Sequence, residues 1–166
     1  MSSESYEWGW LNVSGVRGSL EEIVQFMDEH HFSFLILGET WLKPADTLRH
    51  PSIVFDLRYA SQDPSKGRGI HGLMVVRNPK LTKLADFEEV KRDQEHHSYV
   101  WFKFRGSVFG GLYLPPSMEL ATCIECILSA ADLMAGSGDE DPVFLVGDLN
   151  MRLGRLTGDL IFAVRR

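Results

Sequence analysis

Apolar and polar positions along the chain follow two periods. Residues 8–13 form a short apolar run closed by Ser14-Gly15, which predicts a strand with Asn12 near its end. Ser19 with Glu22 three residues later spells a capping box, and Leu20, Ile23, Val24 and Met27 follow at helical spacing, so residues 19–31 read as an amphipathic helix. Residues 32–37 are a second, buried strand, and Gly38-Glu39-Thr40-Trp41 leaves its end. Strand, helix, strand implies a right-handed crossover between parallel neighbours.

The middle of the chain changes character. Residues 52–60 are strand-like, 61–69 a polar loop with Gly and Pro, and 70–77 a strand stopped by Asn78-Pro79. Residues 81–87 are a weak strand and 88–95 a charged loop. Residues 98–104 and 107–114 make a hairpin around Arg105-Gly106. Pro115-Pro116-Ser117 opens a long helix with Leu120, Ile124, Ile127, Leu128, Ala131 and Met134 at 3.6 spacing, and residues 136–141 are its exit loop. Residues 142–146 are a buried strand, and 160–164 one more strand or helical turn. Parallel-type connections mixed with hairpins predict a mixed sheet with flanking helices, a layered α/β fold.

The 166 residues suggest one domain, and such a chain can bury roughly 70% of its unfolded surface. A net charge of -6 argues against gripping nucleic acid mainly by counterion release. It leaves room for a metal-dependent nuclease, because bound divalent cations bring their own positive charge. No apolar run reaches the ~20 residues of a membrane span, and no signal segment stands at the start. Two cysteines are no disulfide framework, so a reducing intracellular compartment, nuclear or cytoplasmic, is expected.

Polar groups stand at four strand ends: Asn12, Glu39, Tyr113 and the pair Asp148 and Asn150. Strand ends in layered α/β structures are where sites are built. Asp148 and Asn150 lie two apart, so extended backbone would aim them to one side. An acid with an amide suits a hard cation and a phosphate, although Gly147-Asp148-Leu149-Asn150 equally spells a turn.

Five segments in order resemble the endonuclease/exonuclease/phosphatase superfamily of apurinic endonucleases and deoxyribonuclease-I-like enzymes. They are Leu11-Asn12-Val13, Leu37-Gly38-Glu39-Thr40-Trp41, the run from Gly69 to Val76, Gly111-Leu112-Tyr113-Leu114-Pro115-Pro116, and Val146-Gly147-Asp148-Leu149-Asn150. The Glu-Thr-Trp-Leu and Tyr-x-Pro-Pro-Ser forms look most like the endonuclease domains of non-LTR retrotransposons. The resemblance implies the first part of a four-layer α/β sandwich and Mg²⁺-dependent hydrolysis of a phosphodiester in DNA, with Mn²⁺ as a substitute ion. It makes Glu39 and Asn12 the metal residues, Asp148 the group that orients or activates water, Asn150 the amide on the scissile phosphate and Tyr113 a hydroxyl contact to it.

The superfamily pattern continues past Gly-Asp-x-Asn with a further aspartate and a Ser-Asp-His. Sixteen residues follow Asn150 here, with one acid, Asp159, and no histidine. Position 116 is Pro, where apurinic endonucleases have a phosphate-contacting asparagine. The expectation is therefore a C-terminally truncated domain over residues 1–166 that supplies mostly one sheet of the fold, with a homodimer formed through its uncovered face. The alternatives are a catalytically inactive binding or assembly module, and a phosphatase of the same superfamily.

Arg68, His71 and Trp41 are the candidate substrate contacts. Their plainer readings are surface charge, a hydrogen-bonded structural histidine and packing against the loop. Lys66 and Arg77 share the first of these. His30-His31 suit a helix end, His96-His97 a solvated loop, and Cys123 with Cys126 a helix interior rather than a zinc site.

Overall fold

The computed structural model describes residues 6–59, 67, 69–136, 142–150 and 160–164, and the chain divides into two compact units, residues 1–85 and 86–166. Unit 1 contains β1 (Glu7–Asn12), α1 (Leu20–Glu29), β2 (Phe32–Gly38), β3 (Ile53–Leu57) and β4 (Leu73–Arg77). Unit 2 contains β5 (Phe87–Arg92), β6 (Tyr99–Phe104), β7 (Ser107–Tyr113), α2 (Leu120–Gly136), β8 (Val143–Asp148) and β9 (Leu160–Val164).

Unit 1 is a four-stranded mixed sheet in the order β1-β2-β4-β3. The crossover through α1 makes β1 and β2 parallel, with Asn12 level with Gly38, as the strand-helix-strand pattern predicts. Leu20, Ile23 and Met27 pack down from α1 onto Leu35 and Leu37 of β2 and Met74 and Val76 of β4. The opposite positions of β2, Phe34 and Ile36, are buried as well, and Phe34 stacks on Trp8 with centroids 6.0 Å apart. Burial on both faces explains the unbroken apolar run of β2. The capping box does not form. The Ser19 hydroxyl donates to the Gly15 carbonyl at 3.1 Å, and the Ser19 and Leu20 N–H groups both reach the Val16 carbonyl. The turn that enters the helix thus already satisfies donors that a cap would serve.

Unit 2 is a five-stranded mixed sheet in the order β5-β6-β7-β8-β9. The hairpin turns at Arg105-Gly106, both with positive φ, which is what a tight two-residue connection requires. β7 and β8 are parallel, joined through α2, and residues 160–164 form a strand antiparallel to β8. Two expectations are corrected. The chain builds two sheets rather than mostly one. The charged stretch after Phe87 is strand β5, an edge strand whose residues 88–91 are all exposed, so it shows none of the alternation that would have revealed it.

The long helix is corrected in orientation. Cys123, Cys126 and Ala130 face the core with Tyr99, Trp101, Leu112 and Val143, while Leu120, Ile124 and Leu128 are exposed. α2 is apolar on both sides, so periodicity could not say which side packs. Both thiols are raised by burial, Cys126 to about 11, as befits inert core groups. Among the described residues, no helix is long and apolar enough to cross a membrane.

Candidate functional site

In unit 1 the chemistry gathers where β1 and β2 end side by side. The parallel pairing continues past the strands: Val13 donates to Gly38, Gly15 to Glu39 and Val16 to Thr40, at 2.8 to 3.0 Å. On its other side, the Trp41 N–H donates to the His71 carbonyl at 2.8 Å. The Glu39-Thr40-Trp41 segment is therefore held from both flanks, with Asn12 one register position from Glu39. Glu39, Trp41 and His71 all adopt left-handed backbone, with φ of 56°, 54° and 55°. Non-glycine residues rarely sit there, and where they do the surrounding bonds must hold them.

Two glycines make this packing feasible. A Cβ on Gly72, whose φ is 99°, would stand 2.3 Å from the Thr40 hydroxyl, and one on Gly69 would stand 2.5 Å from the Trp41 carbonyl oxygen. His71 precedes β4 rather than lying on it, and its ring meets Tyr59 edge-on at 4.9 Å. Burial draws the His71 pKa below its ordinary value, and the Glu39 charge acts against that shift. Asn12 is exposed, and its side-chain oxygen accepts the Ser14 N–H at 3.2 Å. Arg68 and Lys66 lie outside the described residues, as does Asp159.

In unit 2 the parallel neighbours β7 and β8 end at Tyr113 and Asp148, which face each other in register. β8 runs on through Gly147 to Asp148, two residues beyond the predicted strand. Only glycine fits at 147, because a Cβ would stand 1.7 Å from the Leu112 carbonyl oxygen. The Leu114 N–H donates to the Asp148 carbonyl at 2.9 Å, which fixes the exit of both strands. Asn150 is not extended: its φ is 46°. The Asp148 carboxylate accepts the Asn150 backbone N–H at 2.8 Å, and the Asn150 side-chain amide donates to the Leu114 carbonyl at 3.0 Å. The turn reading of Gly-Asp-Leu-Asn is the one the backbone adopts. Tyr113 is buried, 3% exposed.

Sequence reasoning missed a third group, in unit 1. A pocket of about 440 Å³ opens beside Trp41 and Thr40, with Arg17, Lys43 and Asp46 on its rim. Asp46 accepts the Lys43 N–H at 2.8 Å and pairs with Arg17 at 2.5 Å, and these contacts, the backbone bond first, hold its carboxyl below the usual range. Arg58 donates to the Lys43 and Asp46 carbonyls and so ties the turn to β3. The signals were present as Gly15-Val16-Arg17-Gly18 after a strand exit and Lys43-Pro44-Ala45-Asp46 as a turn.

The fold is shared with known structures. The chain is similar to an AP endonuclease from Archaeoglobus fulgidus, with a TM-score of 0.63 and 13% identity over 91% of this chain and 60% of that one. It is also similar to a 3′ phosphatase from Neisseria bound to a product DNA hairpin, with a TM-score of 0.57, 13% identity and the same two coverages. A 3′-5′ exonuclease from Neisseria meningitidis matches with a TM-score of 0.52 and 15% identity, over 84% of this chain and 56% of that one. The two mixed sheets with few helices are the endonuclease/exonuclease/phosphatase, deoxyribonuclease-I-like fold. At 13% to 15% identity the likeness speaks to fold, and the chain spans 60% or less of these structures' length. No protein-family model and no curated protein matches the chain.

Proposed function

We propose that this chain serves Mg²⁺-dependent hydrolysis of a phosphodiester in DNA, in the manner of a retrotransposon-type endonuclease, within a single domain. The observation that carries the reading is the placement of its polar groups at the ends of parallel neighbouring strands, Asn12 beside Glu39 and Tyr113 beside Asp148. Backbone ladders fix such positions more rigidly than loops do. The neighbouring structures are named as DNA-processing enzymes, and one holds a DNA product, which supports DNA as substrate.

Glu39 and Asn12 would hold the metal. Among the described residues no three His, Cys, Asp or Glu side chains gather. Mg²⁺ does not require such a cluster, since it takes one or two carboxylates and fills its shell with water and phosphate oxygens, so the donor set fits. Bound there, the ion would supply positive charge to phosphate oxygens. Asp148 orients and deprotonates the attacking water. The Asn150 amide has a second N–H beyond the one given to Leu114, and that hydrogen serves the scissile phosphate. The Tyr113 hydroxyl contacts the same phosphate. Arg68, His71 and Trp41 are the substrate contacts.

Plasmid nicking with Mg²⁺ and with EDTA tests this, using wild type beside Glu39→Ala and Asp148→Ala. The expected outcome is Mg²⁺-dependent nicking lost by at least about 100-fold in both variants. Equal nicking in all three proteins would refute the assignment. The second reading is a catalytically inactive binding module, and DNA retention without turnover would support it. Turnover of a soluble phosphomonoester in place of plasmid would point to a phosphatase. Homodimerisation is carried as part of the proposal, and a monomer mass at micromolar concentration would remove it.

A further inference from the structure

α2 turns its small side chains inward and its large ones outward. Cys123, Cys126 and Ala130 lie against the sheet of unit 2, while Leu120, Ile124 and Leu128 are 63%, 45% and 58% exposed. Among the described residues, no other helix or strand carries more than one exposed large apolar side chain. The three stand four residues apart, so they form one ridge about 12 Å long. Exposed Ala121 and Ala131 fall in the same arc, which spans about 100° of the helix circumference. Single apolar side chains in water need no explanation, but a continuous ridge of this kind marks a contact surface. The fold itself does not use the ridge, since α2 packs on its sheet through the opposite side.

One margin of the ridge is acidic. Glu125 and Asp132 are exposed and lie about 20–40° beyond Ala121 around the helix, two turns apart on the same side. Neither enters an ion pair among the described residues. Residues 117–136 contain no Lys or Arg. From the elements packed against α2, Asp93 and Glu95 bring further negative charge toward Cys126, and the Lys91 ammonium lies over the Tyr99 ring, 6.0 Å from its centroid. This charge selects among occupants. A second copy would set acid against acid, with no cation on either helix to separate them. An anionic lipid surface draws in amphipathic helices through basic margins, and this margin is the opposite. A helix with Lys or Arg beside its own apolar stripe fits on both counts. Its i, i+4 ridges interlock with Leu120, Ile124 and Leu128, and its cations meet Glu125 and Asp132.

We propose that the outward face of α2 docks a basic amphipathic helix of another protein. The proposal goes beyond the hydrolase reading and uses none of its residues, so either can fail without the other. The ridge is short against a standard protein–protein interface, so the contact is a transient one of micromolar strength. Leu120, Ile124 and Leu128 supply the apolar contact, and the two carboxylates select the sign of the partner's charge.

The test is equilibrium binding to the full chain of a fluorescein-labelled Leu/Lys peptide of about 14 residues, four helical turns with every leucine on one face, read by anisotropy. Wild type is expected to bind it at micromolar concentration. Ile124→Lys and Leu128→Lys are each expected to weaken binding about 10-fold while the melting temperature holds. Glu125→Lys combined with Asp132→Lys is expected to weaken it about 10-fold, and to admit the matching Leu/Glu peptide that wild type rejects. Glu88→Lys reverses an exposed acid on β5 and is expected to leave binding within about 2-fold of wild type. No binding by wild type overturns the proposal. Equal binding of a scrambled Leu/Lys peptide with no apolar face also overturns it, because the effect is then attraction toward an acidic chain. A dimer at micromolar concentration that Leu128→Lys dissolves assigns the face to a second copy. Capture on phosphatidylserine vesicles that the same variant abolishes assigns it to lipid. Loss of stability in that variant assigns it to the chain's own packing. Each of these three results overturns the proposal.

Discussion

Among the described glycines the tightest constraint is at Gly147, and replacing it with alanine tests the register that places Asp148. The added Cβ would stand 1.7 Å from the Leu112 carbonyl oxygen, where real contacts of this kind stay beyond 3.0 Å. The obstacle is backbone within a parallel ladder, so it cannot rotate away as a side-chain tip would. β7 and β8 must part by more than about 1 Å at the Leu112–Gly147 pair, and the next pair outward is Tyr113–Asp148. Loss of about two ladder bonds, at ~1 kcal/mol each, adds to an overpacking cost of about 1–3 kcal/mol, which gives a destabilisation of about 3–4 kcal/mol. Domains are stable by only about 5–15 kcal/mol, so the effect is large. Urea titration followed by far-UV circular dichroism measures it, with Gly18→Ala as a control expected within about 0.5 kcal/mol of wild type. A Gly147→Ala midpoint indistinguishable from that control would mean that β7 and β8 do not pair in this register, and the placement of Asp148 beside Tyr113 would fall with it.

Other outcomes follow from single contacts. Asp93 is 7% exposed and accepts the N–H groups of Glu95, His96 and Ser98, so Asp93→Ala should cost about 2–3 kcal/mol in the same titration, and a loss under 0.5 would remove its role in that loop. Leu128→Lys should leave stability within about 0.5 kcal/mol, whereas Ala130→Leu should cost about 1–3 kcal/mol, the reverse of what the helical periodicity suggests. The Asp46 carboxyl is held low chiefly by the Lys43 N–H. Its stabilising contribution is thus complete above the unfolded carboxylate range and is lost as pH falls through its lowered folded value. Urea midpoints measured down the acid limb should accordingly fall more steeply for wild type than for Asp46→Asn, and parallel curves would contradict the assignment.

The strands most legible in the sequence were those that read as unbroken apolar runs. β2 and β8 announce themselves as apolar runs, and their exits as Gly-Glu and Gly-Asp, because a buried ladder must be apolar and its end must be polar. The parallel pairing of β1 with β2 was legible for the same reason, through the amphipathic helix between them. β5 was not, since an exposed edge strand needs no apolar face and its charges look like a loop's. α2 misled because its outward positions are as apolar as its inward ones, and only the packed sheet chooses between them. The candidate site residues were visible as types at strand ends, but their geometry was not. The Asn150 turn, the left-handed Glu39 and the rim of Arg17, Lys43 and Asp46 involve side-chain and backbone contacts between segments far apart in sequence.

The left-handed backbone at Glu39 and His71 also says what the chain forgoes. Each such residue costs about 1–2 kcal/mol relative to a right-handed one, and glycine would escape that cost. A screen for thermal tolerance alone should therefore accept glycine at either position, and would erase the carboxylate and the imidazole in doing so. Under the function proposed above, optimising this molecule for endurance and optimising it for chemistry pull in opposite directions at these two positions.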